Sequence, residues 1–364
     1  MTRALLAFDA FKGTIPAREA CTIVGDVFRA HGIDVDEAPI ADGGDGTLDV
    51  LLAHGFTARD VDVVDAALRP RRARIGRRDT SAAIELAEVC GLVTVADLPL
   101  DGVHRSTLGL GLAARAALED GARQVTLCVG GSASVDGGIG LLVGLGFEVL
   151  DADGIPVTAD LMGMDRAARI VVPSLPPASW RVLVDVQTPM AGRESSAMVF
   201  GPQKGLDRSA CSLGVRALRH WATVLEHTFG VDVRELPGGG AAGGVAAAAH
   251  AALGADIVSG AATIIDMIGL RARLVACDVV VTGEGSFDAQ SLLGKGTGQV
   301  CVLAHENDRP VFLLAGRVEP DAVVASGAAT AYTCVDEAGN LADSLVDPRH
   351  WLALAAARLA ASLD

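Results

Sequence analysis

Ala4-Leu5-Leu6-Ala7-Phe8-Asp9-Ala10-Phe11-Lys12-Gly13-Thr14 is the stretch that decides the fold. A short apolar run of this kind suits a strand buried on both faces, and it runs directly into a carboxylate, a lysine and a glycine. Pro16-Ala17 then opens a helical pattern to His31, since proline at the first helical position gives up an N–H that would be unpaired anyway. Asp34 to Ile40 reads as a second strand, Ala41 to Asp45 as a loop and Thr47 to His54 as a second helix. Strand, helix, strand, helix implies a parallel, doubly wound sheet that gathers ligands at the carboxyl ends of its strands.

The same pattern returns near the end of the chain. Asp278 to Thr282 reads as a strand ending in Gly283-Glu284-Gly285-Ser286-Phe287-Asp288, with Gly294-Lys295-Gly296 and a helix to about Glu306 beyond it. Val311 to Ala315 is the next strand, ending at Gly316-Arg317, and a helix begins at Arg349. Between the two ends, from about Val61, shorter β-rich runs dominate. Arg69 to Arg78 holds six arginines with apolar residues interleaved, the pattern of a strand with one solvated face rather than of an anion patch. A helix over Thr107 to Glu119 leads into a strand at Gln124 to Val129 and the loop Gly130-Gly131-Ser132-Ala133-Ser134-Val135-Asp136-Gly137-Gly138. Asp151-Ala152-Asp153-Gly154 reads as a turn between two strands, Arg181 to Asp185 as a strand, and Leu218, Trp221 and Leu225 as the core face of a helix. The predicted architecture is a Rossmann-like α/β domain built from both termini, 1–60 and 266–364. An α/β or α+β domain is inserted over 61–265, with the active site in the cleft between.

Composition narrows the function. The chain has 364 residues, is half apolar, and sets 30 Lys and Arg against 45 Asp and Glu, a net charge of −15. Disorder is excluded, and a nucleic-acid partner is disfavoured because phosphate-backbone affinity depends on an excess of basic side chains. Seven cysteines form no CxxC pair, so neither a zinc site nor a disulfide framework is expected. The apolar run after Arg3 is too short for a signal-peptide core, which predicts a cytoplasmic protein. Leu236 to Ala255 lacks formal charge but is rich in glycine and alanine, and reads as a glycine loop entering a buried helix rather than a membrane span.

The strand-end loops share one chemistry. Glycine lets backbone N–H groups approach an anion, lysine adds a point charge, and carboxylates hold a divalent cation. Together they suit a phosphorylated ligand with magnesium. Lys12, Lys204 and Lys295 are the only lysines in the chain; the other 27 basic residues are arginine. Other phosphate and catalytic motifs fail. Gly294-Lys295 is followed by Gly296, so no P-loop signature is present. Gly109-Leu110-Gly111-Leu112-Ala113-Ala114 resembles a dinucleotide fingerprint without a preceding strand, and reads as helix packing. Gly130 to Ser134 stops one residue short of a GxSxG nucleophile elbow, and the histidines show no metal spacing.

Six of these motifs in order resemble the bacterial glycerate kinases: Asp9 to Gly13, Ala41 to Thr47, Gly130 to Gly138, Phe200-Gly201-Pro202-Gln203-Lys204-Gly205, Gly240 to Gly244, and Thr282 to Gly285 with Asp288 and Gly294-Lys295 behind. The resemblance implies an ATP-dependent kinase that phosphorylates D-glycerate, most simply at its 2-hydroxyl, with ATP and Mg2+ as cofactors. It departs from its relatives at Val135, at Ser286-Phe287 and at Gly296-Thr297. On this reading Lys12, Asp42 and Asp185 are catalytic, with Asp42 or Asp185 orienting the attacking hydroxyl. Asp9, Asp45, Gly130, Gly131, Ser132, Lys204, Gly283, Gly285, Lys295 and Arg317 bind substrate or phosphate, and Asp136, Glu284 and Asp288 hold the metal. Partners are the small-molecule substrates, with no nucleic acid and no membrane, and a homodimer is allowed. A glycerate or nucleotide sensor of the same fold and an NAD-dependent dehydrogenase are the competing expectations.

Overall fold

The computed structural model describes residues 2–192 and 194–363. The chain forms two compact units. One takes the chain up to Asp42, Asp49–His54 and everything from Ser259 onward; the other takes Gly43–Leu48 and Gly55–Val258.

The first unit is built on a five-stranded sheet, ordered Thr330–Thr333, Val311–Ala315, Val279–Gly283, Arg3–Phe8, Asp34–Glu37. All four pairings are parallel. Numbered along the chain this is the order 2-1-3-4-5, which reverses direction between Arg3–Phe8 and Val279–Gly283. A doubly wound sheet opens its ligand crevice at that reversal, outside the carboxyl ends of the two strands. Ala4 to Phe8 and Val279 to Gly283 are buried throughout, as strands covered on both faces must be. Helix Ala17–Ala30 follows Pro16 and buries Ala17, Ala20, Cys21, Val24 and Phe28, one face at helical spacing. Helix Pro348–Ser362 packs beside it and closes the core with Leu352, Ala355, Ala356 and Leu359. The predicted strand to Ile40 ends at Glu37, although Ala38 and Ile40 still donate to Leu6 and Phe8 carbonyls.

The second unit has a mixed six-stranded sheet, ordered Asp256–Ser259, Ser179–Val184, Gln124–Cys128, Ser81–Glu85, Pro70–Arg78, Thr57–Val64. The last three strands form an antiparallel meander, and Ser81–Glu85, Gln124–Cys128 and Ser179–Val184 run parallel. The arginine-rich strand does face solvent. Arg69 bonds Asp65 and Asp97, Arg74 bonds Glu88 and Arg77 bonds Asp120. Trp221 lies in the core of helix Arg208–Phe229, with its indole N–H on Gly137 O at 2.9 Å. Gly109 and Gly111 are packing glycines: a methyl group on either would strike Val64 O or Leu141 O, so the dinucleotide motif is a helix contact.

One turn prediction needs correction. Asp151 to Gly154 is a turn, closed by Asp151 N–H on Ile155 O at 2.9 Å, but it does not join two paired strands. Glu148–Leu150 pairs with Arg169–Val171, and across the turn there is only a short contact, the Leu150–Pro156 bridge and Val157 N–H on Val149 O at 3.0 Å, which forms no second strand.

Candidate active site

In the first unit the chemistry stands at the strand reversal. Asp9 follows Phe8 and Glu284 follows Gly283, so the register that pairs Phe8 with Gly283 places two carboxylates side by side at adjacent strand ends. Asp9 is buried, and burial, with Asp42 adding to it, raises its pKa well above the usual carboxylate range. Only its own chain supports the charge closely: Ala10 N–H donates to Asp9 Oδ1 at 2.7 Å. Glu284 is also raised, first by burial, against opposing help from Ser291, Lys295 and Lys12. Its Oε1 is buried with no hydrogen-bond partner. Buried acceptors are paired in the large majority of cases, so an orphan oxygen beside a cavity marks a place for a ligand.

Lys12 reaches Asp42 Oδ2 at 3.6 Å, with the lysine 71% exposed and the aspartate buried. Lys295 precedes helix Gly296–Glu306, whose Thr297 hydroxyl donates to Gly283 O at 3.3 Å. A methyl group on Gly296 would come within 3.0 Å of Asp9 Oδ2, so glycine lets the helix start close against this carboxylate. Arg317 Nε donates to Ser286 Oγ at 2.9 Å, a bond made possible by the serine that departs from the family pattern; its neighbour Phe287 is fully buried. Asp288 Oδ1 accepts from Gln290 N–H at 2.8 Å and shapes the turn that follows. Lys12, Glu284, Gly285, Asp288, Lys295 and Arg317 all line one cavity of about 430 Å³.

Gly283 is held by packing. It lies within a strand, buried, and any side chain there would strike Leu314 O, so glycine is required there by packing. Gly285 stands outside the strand, at the cavity wall.

The second unit gathers its own cluster around Gly130 to Asp136. Lys204 is 3% exposed and donates to Ser132 Oγ at 3.1 Å and Ser134 O at 2.7 Å. Burial lowers its pKa to about 8, against the pull of Asp136. Asp136 is fully buried, raised by that burial, and surrounded by donors: Thr107 N–H at 2.8 Å, Thr107 Oγ1 at 2.6 Å, Gly138 N–H at 3.2 Å and Gly140 N–H at 3.3 Å. These bonds fix the glycine loop to the start of helix Leu108–Glu119, at the carboxylate the sequence assigns to a metal. Gly130 N–H is also spent, weakly, on Gly43 O at 3.4 Å, where glycine is needed for contact with Gly44. Gly131 has the positive φ of 71° that makes the turn. Val135 is fully buried in the core.

Asp45 is exposed in the loop before helix Thr47–Ala53, and Asp185 is exposed immediately after strand Ser179–Val184. Sequence reasoning missed Glu85. This buried carboxylate ends strand Ser81–Glu85, accepts Gly46 N–H at 3.0 Å and Leu48 N–H at 2.6 Å, and is pushed up to about 7 by burial. An acid closing an otherwise apolar strand was the available signal. Among the described residues no three His, Cys, Asp or Glu side chains form a ready-made metal group. No helix among them is long and apolar enough to cross a membrane.

Known proteins are similar to this chain over nearly its whole length. Residues 4–364 match the glycerate kinase family. The chain is 32% identical to the glycerate 2-kinase of Escherichia coli K12, across 87% of this chain and 86% of that one. It is 31% identical to the glycerate kinase of Bacillus subtilis 168, across 99% and 97% respectively. A crystal structure described as glycerate kinase 2 of Salmonella typhimurium LT2 superposes with a TM-score of 0.86 at 31% identity, covering 100% of this chain and 98% of that one. The family match over nearly the whole chain and the end-to-end similarity agree, and the chain belongs to the glycerate kinase family of enzymes.

Proposed function

We propose that the protein transfers the γ-phosphoryl group of ATP to the 2-hydroxyl of D-glycerate, giving ADP and 2-phosphoglycerate. The observation that carries this reading is the pair Asp9 and Glu284. Both are raised carboxylates at adjacent strand ends, one with an orphan oxygen, and both are influenced by Lys12. Such a pair needs a cation beside it to carry its charge, and a divalent cation held there would in turn draw phosphate oxygens.

The donors present fit Mg2+, which takes one or two carboxylates together with phosphate oxygens rather than an all-protein cage. Glu284, with its unpartnered oxygen, and Asp288, with one oxygen outside its turn, would hold it beside Asp9. The ion would neutralise charge on the transferring phosphates. Lys12 and Lys295 supply further positive charge, Gly285 lets backbone approach, and Arg317 is held by Ser286 at the cavity wall. In the transfer, the bond from γ-phosphorus to the bridging oxygen breaks and a bond to the glycerate oxygen forms. The hydroxyl proton passes to a carboxylate, for which Asp42 and Asp185 are the candidates. Lys204 uses two of its three ammonium protons within the chain and is assigned the remaining one for the glycerate carboxylate, with Ser132 beside it. Asp45, Gly130 and Gly131 are assigned to substrate or phosphate binding.

Release of ADP on adding D-glycerate and Mg·ATP, followed in a coupled assay, tests the reaction. Enolase without a mutase then distinguishes the 2-phosphate, which yields phosphoenolpyruvate, from the 3-phosphate, which does not. Absence of glycerate-dependent ADP would sink the donor assignment, and a product inert to enolase would sink the regiochemistry.

A further inference from the structure

Asp42 sits in a segment with two ends, and one side chain from far along the chain binds both. Strand Asp34–Glu37 enters the segment; helix Thr47–Ala53, followed by His54, leaves it. Arg273 lies on helix Leu270–Val275 and reaches back to each end. On the strand side its Nε donates to Asp36 Oδ2 at 3.1 Å, and its Nη2 donates to Asp36 Oδ1 and to Glu37 O. On the helix side its Nη1 lies 3.0 Å from His54 Nε2. A guanidinium has no acceptor, so His54 Nε2 accepts and the ring carries its proton on Nδ1, which donates to Val50 O at 2.8 Å. Arg273 thereby spends its planar fork on three residues from two elements, a span that a compact ammonium cannot cover. Its side chain is 24% exposed, against 58% for Arg271 on the same helix, whose partners Asp266 and Glu306 are exposed as well. The bond to Arg273 is the first cause that holds Asp36 below the usual carboxylate range. Of the other charges nearby, Arg3 lies 3.9 Å from Asp36, and the Glu37 carboxylate binds Arg29 and Thr22.

We propose that Arg273 is a positioning residue for the transfer: by binding both ends of the segment that carries Asp42, it sets where that carboxylate stands. This rests on Asp42 acting in the reaction, beside Lys12 at 3.6 Å. From Glu37 the backbone runs toward Asp42 on two further anchors, Ala38 N–H on Leu6 O and Ile40 N–H on Phe8 O, so a shift at Glu37 is passed along it. A displacement of about 1 Å at a reacting group costs on the order of 10²-fold in rate. The His54 bond adds a dependence on pH. Protonation at Nε2 removes the acceptor and sets an imidazolium against the guanidinium. Burial first, with Arg273 adding to it against Val50 O and Asp36, holds the histidine below its ordinary 6.5. The bond is therefore made at neutral pH and broken as pH falls below that value.

The test pairs Arg273→Lys with Arg271→Lys, the same exchange two positions away in an exposed ion pair, and adds His54→Gln, whose amide oxygen accepts at every pH. Thermal midpoints establish that each variant folds. Arg273→Lys is expected to lower kcat about 10- to 10²-fold with both KM values within about threefold, as misplacement of a reacting group predicts. Arg271→Lys should leave kcat unchanged, since exposed pairs contribute little. Wild-type kcat should fall as pH drops from about 8 to about 5.5, and His54→Gln should reduce that fall by about threefold or more. A purely structural role would move the thermal midpoint and leave the pH profile in place. Folded Arg273→Lys with wild-type kcat, an equal loss in Arg271→Lys, or an acid fall unchanged by His54→Gln would overturn the positioning role while leaving the reaction. If Arg273→Lys does not fold, the His54→Gln profile decides alone. Full turnover in Asp42→Asn would overturn the role of Asp42 and the positioning with it, and wild-type protein that releases no ADP with glycerate would overturn the reaction itself.

Discussion

The two units handle buried charge in opposite ways. Asp136 in the second unit is ringed by backbone and hydroxyl donors, and Glu85 holds two backbone N–H groups. In the first unit Asp9 has one close donor from its own neighbour, and Glu284 keeps an oxygen without any. A carboxylate that fills its lone pairs from within the chain is an architectural part, while one left short is held for something else. Burial raises all four, so the shift alone does not separate them. The hydrogen-bond inventory does.

The same chemical change in each unit breaks or sharpens this contrast. Asp136→Asn should cost about 3 kcal/mol or more, because one face of the amide turns N–H toward N–H and strands several buried donors at roughly 1–3 kcal/mol each. Urea denaturation reads this directly, and a cost under 1 kcal/mol would erase the distinction. Lys12→Ala should leave stability nearly unchanged, since the side chain is mostly exposed, yet lower kcat about 10²–10³-fold, the scale for losing one charge-stabilising group. Steady-state kinetics alongside a melting curve separates the two effects.

The third test uses pH. Glu85 binds its proton more tightly when folded, at about 7, than its ordinary value of 4.5. Its contribution is therefore complete below about pH 4.5 and is lost as pH rises through about 7, up to roughly 3 kcal/mol in all. Lys204 has the opposite sense: lowered from 10.5 to about 8, it contributes stability above the higher value that is lost as pH falls toward the lower. Glu85→Gln should flatten the fall between pH 4.5 and 7 and leave the alkaline limb unchanged; an unaltered slope in stability against pH would count against Glu85 as its source. The smallest effect is expected for Glu284→Gln. It should leave stability unchanged or raise it by up to about 1 kcal/mol at pH 8, because it removes a buried charge whose oxygen has no partner. Marked destabilisation would mean that Glu284 is architectural like Asp136.

Much of the fold was legible because its signals are local. The apolar run Ala4 to Phe8, proline before helix Ala17–Ala30 and the run Val311 to Ala315 each specify their element through burial and backbone chemistry within a few residues. The hairpin at Asp151 was misread because the partner of Glu148–Leu150 lies beyond a helix, and no local cue announces it. Site residues divided in the same way. A glycine beside an acid at a strand end flags a functional loop, but whether the glycine serves a ligand or a neighbouring carbonyl depends on what packs against it. Gly283 ends a buried strand against Leu314 O, while Gly285 lies beyond it on the cavity wall.

By itself the sequence determined the doubly wound order of the terminal segments, the strand-end loops rich in acid, lysine and glycine, and the family, since these rest on periodicity and on residues adjacent in the chain. Only the tertiary structure decided which carboxylates are satisfied, that Glu85 holds a loop from far along the chain, and that Arg273 binds both ends of the segment carrying Asp42. The reason is physical: hydrogen-bond saturation and burial are properties of neighbours in space, and residues hundreds of positions apart supply them.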